Sequence, residues 1–257
     1  MRMNVSAGPA TAGLRPLSAR SVVLSMLLAV HPPELPVKDL VRLVEPFGVG
    51  GSTLRAALSR MVAAGDLWRG DAVYGLSDRL LARQRRQDDA VHPRTRAWQG
   101  DWEMVVITAT GRGAAERAEL RARLTALRLA ELREGVWLRP ANLGRGLPDE
   151  LHQVAATYTA RPDEPATDLA VRLWPLDAWA ATARALLRHA AGAPRPADRL
   201  TAFAAIVRHL LGDPVLPPAL LPPDWPGPEL RTAYAGYQRE VAASAGWRER
   251  GRSEGPR

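Results

Sequence analysis

Cysteine is absent from the 257 residues. That excludes a disulfide scaffold and any thiolate metal site, and it fits a reducing cytoplasm. Lysine is nearly absent too, since Lys38 is the only one among 35 basic residues. No apolar run reaches the length of a membrane span. Basic residues followed by the run Val22 to Val30 have the order of a signal peptide, but the run is short and no small-x-small cleavage site follows it. His31, His92, His152, His189 and His209 form no i,i+4 pair and no His-Glu-x-x-His motif, and there is no Gly-x-Ser-x-Gly elbow. The expectation is a cytoplasmic non-enzyme with no catalytic residue, no metal, no cofactor and no membrane association.

What is present is positive charge, and it is uneven. Residues 1–96 carry 14 Lys/Arg against 8 Asp/Glu, so +6 of the chain's net +8 lies in that stretch. An excess of this kind suits phosphate neutralisation, although an Arg-, Ala- and Pro-rich composition also follows from a GC-rich coding background.

The same stretch has a legible order. Ser18 is placed to cap a helix through Val30 that is apolar nearly all round. Val37 to Glu45 reads as a short helix, Phe47 to Gly51 as a Gly-bearing turn, and Ser52 as the cap of a second helix stopped by Gly65. From Leu54, the apolar residues Ala57, Leu58, Met61 and Val62 fall at i+3, i+4, i+7 and i+8, which is one helical face. Leu67 to Arg69 and Ala72 to Leu76 then read as a hairpin about Gly70-Asp71, and Ser77 as the cap of a polar helix. This order is that of a winged helix-turn-helix, which implies binding to double-stranded operator DNA. The residues left on the far face, Ser52, Thr53, Arg55, Ala56, Ser59 and Arg60, are the candidate DNA contacts, with Arg69 added from the wing. The bland alternative is a surface helix with two solvated arginines.

After a linker near Pro93 to Gly100 the pattern changes. Trp102 to Thr108 has buried-strand character, Gly111-Arg112-Gly113 turns the chain, Ala114 to Leu129 reads as a helix, and Gly135 to Arg139 as a second strand. Residues 149–157 are expected as a helix and 168–173 as a strand, which together suit a ferredoxin-like split βαβ domain. The Gly-Arg-Gly turn is a poor dinucleotide motif, because Glu116 replaces the third glycine and no carboxylate closes the second strand. Helices are expected at 176–189, 196–211 and 228–243, with a Pro-rich but apolar connector at 213–227. Seven tryptophans (Trp98, Trp102, Trp137, Trp174, Trp179, Trp225 and Trp247) lie in this later part, as core cement or as the lining of an aromatic pocket.

Three separate segments resemble the PaaX family of bacterial transcriptional repressors. They are the opening RPLSARSVVLSMLL with VRLVEPFGVGGSTLRAALSRMVAAGDL, the strands WQGDWEMVVI and GVWLRP, and the late DPVLPPALLPPDWPG. The resemblance implies a winged-helix domain, a central ferredoxin-like domain similar to a CRISPR-associated nuclease subunit, a helical C-terminal domain and a homodimer. It also implies repression of a catabolic operon, in the best-known case that for phenylacetate, relieved by an acyl-coenzyme A. The wing is brief and carries Asp71 where basic residues are commoner. A nuclease reading lacks its metal-binding carboxylate, because the first central strand ends in Val106-Ile107-Thr108. A constitutive architectural protein with no small ligand is the other alternative.

The fold class expected is thus α+β, with tails at 1–16 and 247–257, a winged-helix domain at 17–95, a ferredoxin-like domain at 96–174 and a helical domain at 175–246. For an acyl-coenzyme A effector between the last two, the candidate cations are Arg112, Arg117 and Arg139, and the candidate apolar slot is Trp137 with Trp174.

Overall fold

The computed structural model describes residues 18–245. The expected tails and Trp247 lie outside the described residues. Among those residues the chain is a mixed α+β protein with nine α-helices, a three-stranded sheet and a four-stranded sheet, both antiparallel. It divides into two compact units. The first takes the described residues up to Gln84, Arg188–Ala205 and those from Ala235 on; the second takes Arg85–Leu187 and Ile206–Tyr234. The described helices after residue 175 contribute residues to both units.

The first unit is built on α1 (Ala19–Ala29), whose N-terminus is capped by Ser18 Oγ accepting from Ser21 N at 3.2 Å. Val22, Val23, Met26 and Leu27 are all buried, as an all-round apolar helix requires. The carbonyls at its far end have no intrahelical donor. The buried Gln84 amide supplies one, donating to Leu28 O at 3.2 Å and Val30 O at 2.9 Å. β1 (Glu34–Pro36) leads into α2 (Val37–Val44), then a 3-10 turn ending at Gly48 with φ +70°. Next comes α3 (Gly51–Ala63), capped by Gly50, so Ser52 stands inside the first turn instead of at the cap position expected for it.

Helix α3 stops where the sequence says it should. Gly65 N donates to Val62 O at 3.0 Å and Asp66 N to Met61 O at 2.9 Å, with Gly65 at φ +67°. This 5→2 and 6→1 pair is the Schellman arrangement, which needs the left-handed conformation that glycine adopts without steric cost. β2 (Leu67–Gly70) and β3 (Val73–Leu76) follow, β1 joins the far side of β3, and α4 (Asp78–Val91) leaves the sheet. The tight turn is therefore Asp71-Ala72, one residue later than Gly70-Asp71. Leu40, Val44, Leu54, Leu58, Met61, Leu67 and Leu76 pack with α1 into one core, which Leu200 and Val241 also enter.

The second unit centres on a sheet of order β5-β6-β4-β7, formed by β4 (Trp102–Ile107), β5 (Ala130–Arg133), β6 (Val136–Pro140) and β7 (Ala155–Ala160). With α5 (Ala114–Ala126) between β4 and β5, this strand order and its antiparallel pairing fit a ferredoxin-like fold. Alternation along β4 and β6 separates two cores. Val105 and Trp137 face Leu120 and Leu124 of α5; Trp102 and Leu138 face the other way, onto Leu169 and Ala170 of α6 (Ala166–Leu173) and onto Leu216 and Leu220 of the Pro-rich connector.

Two expectations fail here. Residues 149–157 are a 3-10 turn (Asp149–Gln153) followed by β7, because Thr157, Tyr158 and Thr159 favour an extended chain. Residues 168–173 lie in α6, whose buried Leu169 and Ala170 are successive helical positions on the face that meets the sheet. Strand β5 was hidden by the way α5 ends. Arg128 adopts φ +63° where glycine is usual, with Arg128 N bonded to Thr125 O and Leu129 N to Leu124 O.

The second unit also receives parts of α7 (Leu176–Ala191), α8 (Pro196–Leu210) and α9 (Gly227–Ser244). The connector before α9 is tied down by buried polar groups. Asp213 accepts from Arg231 Nη2 and from Val215 N, each at 2.7 Å, and Asn142 Nδ2 donates to Val215 O at 2.9 Å.

Candidate nucleic-acid interface

Leu54, Ala57, Leu58 and Met61 anchor α3 in the core, which leaves Ser52, Thr53, Arg55, Ala56, Ser59 and Arg60 together on its exposed face. All six predicted helix residues are accessible there. The helix carries no acidic residue from Gly51 to Ala63, so nothing on it neutralises the two guanidinium groups. Arg60 makes no hydrogen bond or ion pair among the described residues, whereas Arg55 Nε donates back to Gly51 O at 3.1 Å. Because Gly50 offers no capping side chain, the first N–H groups of α3 also lack an internal acceptor, an arrangement that receives phosphate readily. The residues at 52, 53, 56 and 59 are small and the two arginines are long, the combination that a groove-facing helix requires.

Arg69 is exposed on β2 with its guanidinium 5.9 Å from the Tyr74 ring centroid. Beside it stands a residue the sequence reading did not single out, Trp68, which is 42 % exposed. A Cβ at Gly75, its cross-strand partner, would lie 2.4 Å from the indole, so glycine there lets the ring lie against the strand. The signal was a Trp opposite a Gly in a predicted hairpin.

The five predicted effector residues do not converge. Arg112, Arg117 and Trp137 line one cavity of about 320 Å³, with Ile107, Leu120 and Leu124 at its apolar side and the Arg121–Glu131 pair, at 2.8 Å, on its rim. Arg139 is fully buried elsewhere, donating to Asn142 Oδ1 at 2.7 Å and Pro140 O at 3.0 Å. Burial pushes its pKa down to about 9, partly offset by Glu103, so it remains a cation at neutral pH. Trp174 lies against the opposite face of the sheet, stacked on Trp102 with centroids 6.4 Å apart. Helix α5 is capped by its own Glu116, which accepts from Gly113 N at 2.8 Å, so this N-terminus is already satisfied.

Trp179, Trp225 and Asp101 are engaged within the fold. Trp179 stacks on Trp225 at 4.5 Å and on His209 at 4.4 Å. Asp101 pairs with Arg161 at 2.5 Å, which holds its carboxyl below the usual range. No group of three His, Cys, Asp or Glu among the described residues is placed to hold a metal, and no described helix is long and apolar enough to cross a membrane.

The comparisons with known proteins agree in sequence order. Residues 18–80 match the description PaaX-like protein, 95–162 the PaaX protein central Cas2-like domain, and 174–247 the PaaX-like protein C-terminal domain. The chain belongs to the PaaX family. The first PaaX segment spans α1 to the first turn of α4, the second holds the whole four-stranded sheet, and the third begins at Trp174. A solved structure described as the uncharacterized protein Rv0674 from Mycobacterium tuberculosis is 49 % identical, with a TM-score of 0.80 over 89 % of this chain and 97 % of that one. No curated protein matches this PaaX-family chain at a significant level.

Proposed function

We propose that this PaaX-family protein is a DNA-binding transcriptional regulator, and not an enzyme, whose first unit is a winged helix-turn-helix with α3 as recognition helix and the β2–β3 hairpin as wing. The observation that carries the reading is the exposed, acid-free face of α3, with Arg55 and Arg60 presented from a fully buried apolar ridge. Arg55, nearer the helix N-terminus, reads a base edge; Arg60 meets a phosphate; Ser52, Thr53, Ala56 and Ser59 allow close approach; Arg69 adds backbone affinity. The protein acts in the cytoplasm as a homodimer on a two-fold operator, since pairing half-sites multiplies affinity.

In this reading it represses a catabolic operon and an acyl-coenzyme A relieves the repression. The cavity at Arg112, Arg117 and Trp137 has the amphipathic character such a ligand requires, with cations on its rim and apolar residues behind. An effector can act only by binding the two conformations unequally. The test is a fluorescence-anisotropy titration of operator DNA with and without a panel of acyl thioesters. Operator binding weakened by one thioester supports the repressor; operator binding indifferent to all of them leaves a constitutive DNA-binding protein.

A further inference from the structure

A ferredoxin-like sheet ordinarily carries a second helix between its third and fourth strands, on the same face as α5. In this chain that connection is the loop 141–148 and the short 3-10 turn Asp149–Gln153. The face that α5 leaves uncovered opens into a cavity of about 600 Å³, whose lining includes Arg96, Glu103, Arg145, His152, Thr157 and Thr159.

The chemistry beneath it is unspent. Glu103 and Arg139 are cross-strand neighbours on this face, with Glu103 Oε2 3.7 Å from Arg139 Nε, an ion pair too long to be a hydrogen bond. Glu103 Oε2 and Arg139 Nη1 are both buried and neither has a hydrogen-bond partner. Buried charged groups normally use their capacity, and those that do not mark places where something else completes the set. Arg145 is held in place by the carbonyls of Leu127 and Gly146, and Arg96 by its Nε on Ala141 O at 2.9 Å. The cavity wall thus carries two guanidinium groups, of Arg96 and Arg145, and one carboxylate, with the Arg139 cation buried beside Glu103 behind it.

We propose that this cavity binds a small organic phosphate bearing hydroxyl groups, of the nucleotide or sugar-phosphate class. The excess of guanidinium charge selects an anion, and the fixed donor fork of arginine matches phosphate oxygens. The carboxylate is an acceptor only, so the ligand must also bring a donor, which a sugar hydroxyl supplies at any pH and a fully ionised phosphate group does not. A concave site of this volume is the size of a small-molecule pocket.

The experiment is calorimetric titration of the full chain with ADP, ribose 5-phosphate, pyrophosphate and adenosine. ADP and ribose 5-phosphate are expected to saturate the site. Adenosine, without phosphate, and pyrophosphate, without sugar hydroxyls and titrated at a pH where it is fully ionised, should each bind about tenfold more weakly or worse, as loss of a charge-assisted bond implies. Arg96→Gln, at an exposed position, should lower the affinity for both phosphate esters about tenfold while leaving the fold intact. Glu103→Gln, checked for folding by its melting curve, replaces the acceptor-only carboxylate with a neutral amide that also donates, and should narrow the preference for ribose 5-phosphate over pyrophosphate. If neither ester binds at millimolar concentration, or if Arg96→Gln binds both as the parent does, the proposal fails.

Discussion

Arg20 Nη2 lies 2.7 Å from Asp66 Oδ2, and the same buried carboxylate receives Arg79 on its other oxygen. Asp66 follows the Schellman stop of α3 and precedes β2, while its two cations come from α1 and α4. One residue therefore ties the C-terminal end of α3 to α1 and to α4. Asp66→Asn is expected to destabilise by about 1–3 kcal/mol, because it replaces charge-assisted bonds at a buried acceptor. Arg20→Ala and Arg79→Ala, whose side chains are more than half exposed, should each cost about 1 kcal/mol or less. Urea unfolding of the three variants checks the ranking, and equal effects would contradict it.

Gly75→Ala should be disproportionately harmful. Its Cβ would stand 2.4 Å from the Trp68 indole, so the ring must swing away from the strand. A cost of about 1–3 kcal/mol follows from such overpacking. In a Trp68→Ala background most of that cost should vanish, and a double-mutant cycle measures the coupling. Trp68→Ala alone should change stability little and leave Gly75→Ala nearly neutral.

Breaking the buried pair in the connector is expected to cost more than any surface change. Arg231→Met removes the guanidinium that hydrogen-bonds the Asp213 carboxylate, which is 1 % exposed, and leaves only the nearby Arg128 charge. Removing one partner of such a pair destabilises by about 3–5 kcal/mol. Unfolding followed by tryptophan fluorescence reports it, since Trp225 lies in the same connector. A loss under 1 kcal/mol, on the order of a surface pair, would mean that water reaches Asp213.

How much of this was legible in the sequence depended on local signals. The α1 cap at Ser18, the amphipathic spacing from Leu54 to Met61 and the Gly65 stop all lie within a few residues of what they determine, and all three appear as expected. β5 was missed because Arg128 ends α5 in a left-handed conformation without glycine, stabilised by the distant Asp213 carbonyl. α6 is not legible as a helix, because eight residues hold too few turns for periodicity to speak. The structural role of Arg139 is not legible, because a sequence shows its charge but not its burial. The packing of the connector was partly legible, since Val215, Leu216 and Leu220 are too apolar for a free linker and are buried.

The central claim, that α3 reads DNA, is tested most directly by Arg55→Ala and Arg60→Ala. Each variant is titrated at two salt concentrations against a scrambled duplex and an operator selected from DNA adjoining the coding sequence. Arg55→Ala should cost about 1–3 kcal/mol on the operator and relax preference at one base pair. Arg60→Ala should weaken both duplexes alike and reduce the salt slope by about 1. Leu58→Ala, at a fully buried position, should instead lose about 2–5 kcal/mol of stability. If both arginine variants stay folded and bind the operator as tightly as the parent, α3 is not the recognition helix.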